Sequence, residues 1–289
     1  IPIMLKSKHC ILHEQEKDTL VQMGECPYDL GGYFIIGGME KVILSHERKV
    51  ENKIYITKSN DDKYLYGAQI KSVPEEGFKY ARTTSVYIST DDLSIDVIVS
   101  GFERPIPVFI IFRALGIITD KDILVNILYD LESDLSQYML EILHASVTKS
   151  RVILTQNLAL KFLSKMTKGR SVSYVIRTLL ESIFPHVGNN FMKKAMYLGL
   201  IVRRLIMVNA GLIEPTDRDS YIYKRVDLSG FLMANLFRDS FKQFLRNCKI
   251  QIDTLYRFNT AYKTDISTIV SDGNKSIIFN AKQIEDPIF

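Results

Sequence analysis

Apolar and polar positions alternate in short runs through the first third of the chain and then change to helical spacing. Tyr33-Phe34-Ile35-Ile36 is an apolar run bracketed by two glycine pairs, Gly31-Gly32 and Gly37-Gly38. A second run, Val42-Ile43-Leu44, follows the acid–base pair Glu40-Lys41. Together they predict strand, tight glycine turn and strand, with charged residues at the mouth of the turn. Lys53 to Lys58 and Tyr64 to Ile70 form strand candidates around the polar turn at residues 59–62, and Ser85–Ser89 with Ile95–Val99 predict a hairpin around Thr90-Asp91-Asp92. The prolines of Arg104-Pro105-Ile106-Pro107 make the following Val108 to Phe112 an edge strand or an extended entry.

From about residue 119 the spacing is helical. Thr119-Asp120 with Asp122 reads as a cap followed by early acids. Helices are predicted over 134–147, 156–166, 171–184, 190–210 and 228–247, with Pro185 and Gly211 as stops. Residues 255–289 are irregular, with a short strand expected at Ser276 to Phe279. In the last long helix Phe237, Phe241, Phe244 and Leu245 make an apolar stripe, and Arg238, Lys242 and Arg246 a basic stripe beside it. That basic flank faces either plain solvent or phosphates. In the 190–210 helix, Lys193, Lys194, Arg203 and Arg204 share one half of the circumference and leave a broad apolar face to bury.

The charge pattern adds a partner to this picture. Residues 157–250 carry 16 Lys and Arg against 6 Asp and Glu, whereas residues 59–156 carry 9 against 14. A basic block of this kind suits a polyanion or an acidic partner protein. Cys10, Cys26 and Cys248 are too few and too scattered for a disulfide framework and suit a reducing setting. No uncharged apolar run reaches transmembrane length, so no membrane partner is expected. The first residue is Ile1 rather than Met, which points to a piece of a longer protein.

The candidate chemistry is sparse. A phosphate-binding loop needs Gly-x4-Gly-Lys-Ser/Thr, but Gly32-x4-Gly37 is followed by Gly38-Met39-Glu40 and the lysine arrives late, at Lys41. Cys10-x2-His13 has the spacing of half a zinc site, and no second close pair accompanies it. Asp217-Arg218-Asp219 reads as a salt-bridged turn rather than a metal site, and no Gly-x-Ser-x-Gly elbow is present. Tyr223-Lys224-Arg225-Val226-Asp227 places two cations just before a helix, where Arg225 offers a bidentate grip on phosphate.

Taken in order, Ile1–Cys10 (IPIMLKSKHC), Cys26–Arg48, Arg104–Asp130, Phe191–Met207 and Asp217–Asn247 resemble the second-largest subunit of multisubunit DNA-dependent RNA polymerases. The Cys26–Arg48 and Asp217–Gly230 blocks are the most specific, and 51–103 and 131–190 match loosely. The chain departs from the family at Gly37-Gly38-Met39, where Asn-Gly-Ser or Asn-Gly-Thr is usual, and at His46, where Gln is common.

The resemblance implies an α+β fold of two domains: a discontinuous protrusion, residues 1–66 and 237–289, with an inserted lobe of β hairpins and helices at 67–236. It implies a non-catalytic part of a nucleotidyltransferase, forming one wall of the DNA cleft. It further implies contact with the largest subunit and other subunits, with the DNA template and RNA–DNA hybrid, and with initiation factors. Magnesium would belong to the assembled polymerase, and no cofactor to this region. The site residues carried by this reading are Lys41, Arg48, Lys224 and Arg225, with Arg203, Arg204, Arg238, Lys242 and Arg246 in second rank. The location is intracellular: the nucleus for a cellular eukaryotic enzyme, the host cytoplasm and virion for one encoded by a large DNA virus, which the Ile- and Lys-rich composition suits. Two other classes stay open at this point: a basic scaffold that binds acidic partners, and a stand-alone nucleotide-binding enzyme using Gly37 and Lys41.

Overall fold

Two glycines in succession between apolar runs allow a turn that other residues resist. In the computed structural model, which describes residues 2–74, 81–167, 169–258 and 275–286, Gly37 and Gly38 have φ of 59° and 77°. Both lie in the left-handed region that a Cβ disfavours, as a tight hairpin turn requires. They join β1 (Phe34–Ile36) to β2 (Met39–Lys41), with Ile36 opposite Met39. The hairpin is shorter than expected: pairing ends at Lys41, and Val42-Ile43-Leu44 lies beyond it. A short helix, α1 (Lys17–Gln22), precedes it, and β3 (His46–Lys49) follows.

The chain divides into two compact units, Ile1–Arg48 with Arg225–Phe289, and Lys49–Lys224. The larger one is built on an antiparallel sheet of β4 (Ile54–Lys58), β5 (Tyr64–Ser72), β6 (Arg82–Ser89), β7 (Ile95–Val99) and β8 (Ile106–Pro107), paired in that order. In cross-strand register, Ile56, Ala68, Val86, Val97 and Ile106 line up on one face. All five are buried, as period-two alternation demands of a sheet covered on that side.

The cover is helical. It comprises α2 (Val108–Ala114), α3 (Asp120–Leu128), α4 (Asp134–Lys149), α5 (Gln156–Ser164), α6 (Val172–Glu181) and α7 (Phe191–Asn209). Polar caps fix their starts: Thr119, Ser133, Thr155 and Asn190 each accept a backbone N–H through the side-chain oxygen. The edge strand ends at Pro107, and Val108–Phe112 is a helix rather than a strand. Every residue of α2 is buried, so its apolar run carries no periodicity to tell helix from strand. Gly199 lets α7 approach α3 closely, since a Cβ there would stand 2.5 Å from the Asn126 carbonyl oxygen.

Two long cations are fully enclosed by this packing. Arg113 on α2 is 1% exposed and donates to the Ser150 and Ile153 carbonyls and to Asp120. Lys194 on α7 is 0% exposed, so it is not on the basic flank that its spacing suggested. Its ammonium donates to the carbonyls of Leu179 (3.0 Å), Leu180 and Ile183 (2.7 Å), at and just past the end of α6. These are the acceptors a helix leaves unpaired at its C-terminus, where the dipole also favours a cation.

The chain returns to the smaller unit through β9 (Lys224–Asp227), which pairs with β3, and α8 (Ser229–Phe258). Two short helices follow, α9 (Lys275–Ile278) and α10 (Lys282–Glu285). The strand expected at Ser276–Phe279 is therefore helical: Ile278 turns into a small cluster with Cys248, Phe244, Ile252 and Leu255. The unit boundaries fall at 48/49 and 224/225, whereas the sequence suggested junctions at 66/67 and 236/237. Residue 66 lies inside the β4–β5 pairing and residue 236 inside α8, so the chain is continuous at both places.

Removing the Lys194 ammonium leaves three carbonyls without a donor. Lys194→Met is expected to lower unfolding stability by about 2–4 kcal/mol, measured by urea denaturation. Burial pushes the Lys194 pKa down from 10.5 to about 8. Between those values the folded state binds fewer protons than the unfolded one, so stability rises with pH across that window. The Met variant is expected to lose that slope.

Candidate nucleic-acid interface

The site begins with what fixes the glycine-rich string. Asp29 accepts from the Gly31 N–H at 2.9 Å and from the Tyr33 hydroxyl at 2.6 Å. The Tyr33 bond, and after it the Gly31 bond, hold the Asp29 pKa below its usual value, and the same pairing pushes Tyr33 up to about 12. The Leu5 backbone bonds to the Tyr33 carbonyl and the Gly32 N–H, and the Lys6 ammonium reaches the Asp29 carbonyl. Sequence reasoning missed this clamp, although the Asp-x3-Tyr spacing across a glycine pair was its signal.

Lys41 is exposed at the end of β2 and borders an apolar cavity of about 230 Å³ lined by Phe34, Ile36, Val42, Ile43, Met233 and Leu236. Phe34–Ile36, within the stretch between Gly32 and Gly37, is strand, and the turn is only two residues long, so no loop wraps a phosphate here.

Arg48 and Asp227 meet across the β3–β9 pair: the Arg48 Nε donates to the Asp227 carboxylate at 2.8 Å. The guanidinium also stands 5.8 Å from the Phe231 ring centre. Side chains alternate along a strand, so Arg225 shares the face of Asp227, whereas Lys224 leaves the opposite face. The two adjacent cations therefore address different surroundings. Arg225 is exposed and Lys224 is half-buried.

On α8, Phe237, Phe241 and Phe244 stack in a ladder with successive centroid distances of 6.1 Å and 6.1 Å, ending on Phe279 at 6.5 Å. The basic stripe is held by a polar row three residues earlier in each case. Arg238 donates to Asn235, Lys242 lies 4.0 Å from Asp239, and Arg246 donates to Gln243. Arg246 is exposed, while Arg238 and Lys242 are half-buried.

The remaining second-rank residues lie in the larger unit. Arg203 donates to the Leu128 carbonyl at 3.0 Å and packs its guanidinium 4.6 Å from the Tyr129 ring centre. Tyr129 has φ of 67°, and Arg203 secures this left-handed end of α3. Arg204 is exposed. Among the described residues no three His, Cys, Asp or Glu side chains gather as a metal site requires, and no helix is long and apolar enough to cross a membrane. His13, of the half zinc site, directs Nδ1 to the Lys6 carbonyl at 3.3 Å instead.

Comparison with known proteins gives this arrangement a context. The family described as RNA polymerase beta subunit matches residues 1–285. The DNA-directed RNA polymerase II subunit RPB2 of Encephalitozoon cuniculi is 37% identical over 253 residues, covering 84% of this chain and 22% of that protein. The DNA-directed RNA polymerase II subunit 2 of Arabidopsis thaliana is 35% identical, covering 86% of this chain and 22% of its own length. The DNA-directed RNA polymerase subunit Rpo2N of Methanocaldococcus jannaschii is 32% identical, covering 88% of this chain and 51% of that protein. This chain thus spans about half or less of each of these relatives.

Arg203 is expected to act through structure. Arg203→Ala should cost about 1–3 kcal/mol in urea unfolding, from the lost charged hydrogen bond and ring contact. Arg204→Ala, at an exposed position, should change stability by less than about 0.5 kcal/mol.

Proposed function

The chain belongs to the RNA polymerase beta subunit family, and on that premise we propose that it forms one wall of the DNA cleft in an assembled DNA-directed RNA polymerase. The smaller unit, Ile1–Arg48 with Arg225–Phe289, is the discontinuous protrusion in this reading, and Lys49–Lys224 is the lobe inserted in it. The observation that carries the reading is the family match across residues 1–285. The exposed cations Lys41, Arg225 and Arg246 on the smaller unit support it. Contacts from such side chains to phosphate hold a duplex without reading its sequence, which suits an enzyme that moves along any template.

No catalytic step is assigned to these residues. In this reading the magnesium of the assembled enzyme is held outside this region. Its partners in this reading are the largest subunit, further subunits, initiation factors, and the DNA template with its RNA hybrid. The location follows the host enzyme: the nucleus for a eukaryotic cellular polymerase, the host cytoplasm and virion for a viral one. A scaffold unconnected with a polymerase is not favoured by the family match.

The test is the salt dependence of DNA binding. Fluorescence anisotropy with labelled duplex DNA is followed across a potassium chloride series, for the chain and for the polymerase containing it. Lys41→Glu and Arg225→Glu are each expected to reduce the log–log salt slope by about 0.9 per lost phosphate contact, with thermal unfolding measured alongside to confirm that each variant is folded. Slopes equal to the parent in both variants would refute the assignment of these residues to DNA.

A further inference from the structure

A polar cavity of about 260 Å³ opens in the larger unit where the start of β6, the turn after β7 and one side of α6 come together. Its walls include Arg82, Ser100, Arg177, Thr178, Glu181 and Ser182. Thr178 and Ser182 are each 7% exposed and form a fixed inner wall, on which the Thr178 hydroxyl already donates to the Tyr174 carbonyl at 2.9 Å. Arg177 and Glu181 approach to 3.6 Å along α6, with side chains 70% and 59% exposed. A water-facing pair at that distance and exposure is easily exchanged for another partner.

Two guanidinium groups and the hydroxyls of Ser100 and Ser182 line this recess, whose volume takes one oxyanion head group together with the atoms that carry it. The arginine fork matches carboxylate and phosphate geometry through paired N–H donors. We propose that this cavity binds a single carboxylate or phosphate carried on an otherwise uncharged peptide segment of a partner protein, with Glu181 occupying the Arg177 guanidinium until that segment arrives.

The charge distribution favours a peptide over nucleic acid. A duplex is held by rows of cations that follow its backbone. Here the lining holds two cations and one acid, and Glu181 would oppose the neighbouring phosphates of a continuous strand. A peptide offers a single acidic group to a recess of this volume. This inference deepens the docking role proposed above and rests on it for the partner being a polymerase-associated protein.

The experiment measures anisotropy of two labelled probes on the purified chain: a short peptide with one phosphoserine among uncharged residues, and its aspartate counterpart. The two probes tell phosphate from carboxylate, and preference for either supports the proposal. Arg82→Ala and Arg177→Ala are expected to weaken binding about tenfold or more. Glu181→Gln should tighten it, because the competing carboxylate is gone, an effect that a merely structural role would not give. Arg177→Lys keeps the charge but loses the fork and should bind more weakly than the parent. It also serves if the half-buried Arg82 proves necessary for folding by thermal unfolding. Binding equal in parent, Arg177→Ala and Glu181→Gln would overturn the proposal. So would duplex DNA that displaces the peptide and weakens equally on the same substitutions, which would make the cavity part of a phosphate-backbone surface. The DNA reading is tested separately on Lys41 and Arg225, so either reading fails without the other.

Discussion

A sheet with one apolar face needs a layer over it, and the layer here is made of helices whose ends fall inside the packed region. Helix ends carry unpaired carbonyls that water can no longer reach. The larger unit answers this with long cations drawn inward. Lys194 meets the carbonyls at the end of α6, and Arg113 meets those of Ser150 and Ile153 in the connection between α4 and α5. Arg203 does the same at the end of α3 from a half-buried position. The apolar layering and these polar ties are one solution: neither the helix cover nor the enclosed cations would persist alone.

This explains which parts of the architecture the sequence disclosed. Strand alternation around residues 54–99 and the cap at Thr119 are local signals, and both appear in the structure. Val108–Phe112 was not legible, since a segment buried on all sides has no polar face to set its period. Lys194 looked like a surface residue because the carbonyls that surround it lie eleven to fifteen positions away, on another helix and the turn after it. The glycine turn was legible as a turn because only its own backbone decides it. The cations of the candidate interface were legible as charges, but their directions were not. Lys224 and Arg225 are neighbours in sequence and part company only once the backbone is extended.

The smaller unit presents the opposite economy of contacts. Its cluster around Cys248 and Ile278 is small, and the ladder of Phe237, Phe241 and Phe244 remains partly exposed. Its order comes instead from polar clamps: Asp29 across the glycine pair, and Arg48 with Asp227 across the paired strands. Such clamps fix where side chains point while burying little surface, which suits the phosphate contacts proposed for Lys41 and Arg225.

The interruption of the smaller unit has a consequence for how the chain assembles. Its two parts are separated in sequence by the whole of Lys49–Lys224, and pairing β3 with β9 would ordinarily demand closure of a very long loop. The larger unit already ties its own ends, since the Val50 N–H donates to the Tyr223 carbonyl at 2.9 Å. Once that continuous unit has folded, the flanking strands arrive side by side and the outer pairing becomes, in effect, local. The long separation in sequence then costs the outer pairing little, because the loop it must close is no longer the whole insertion.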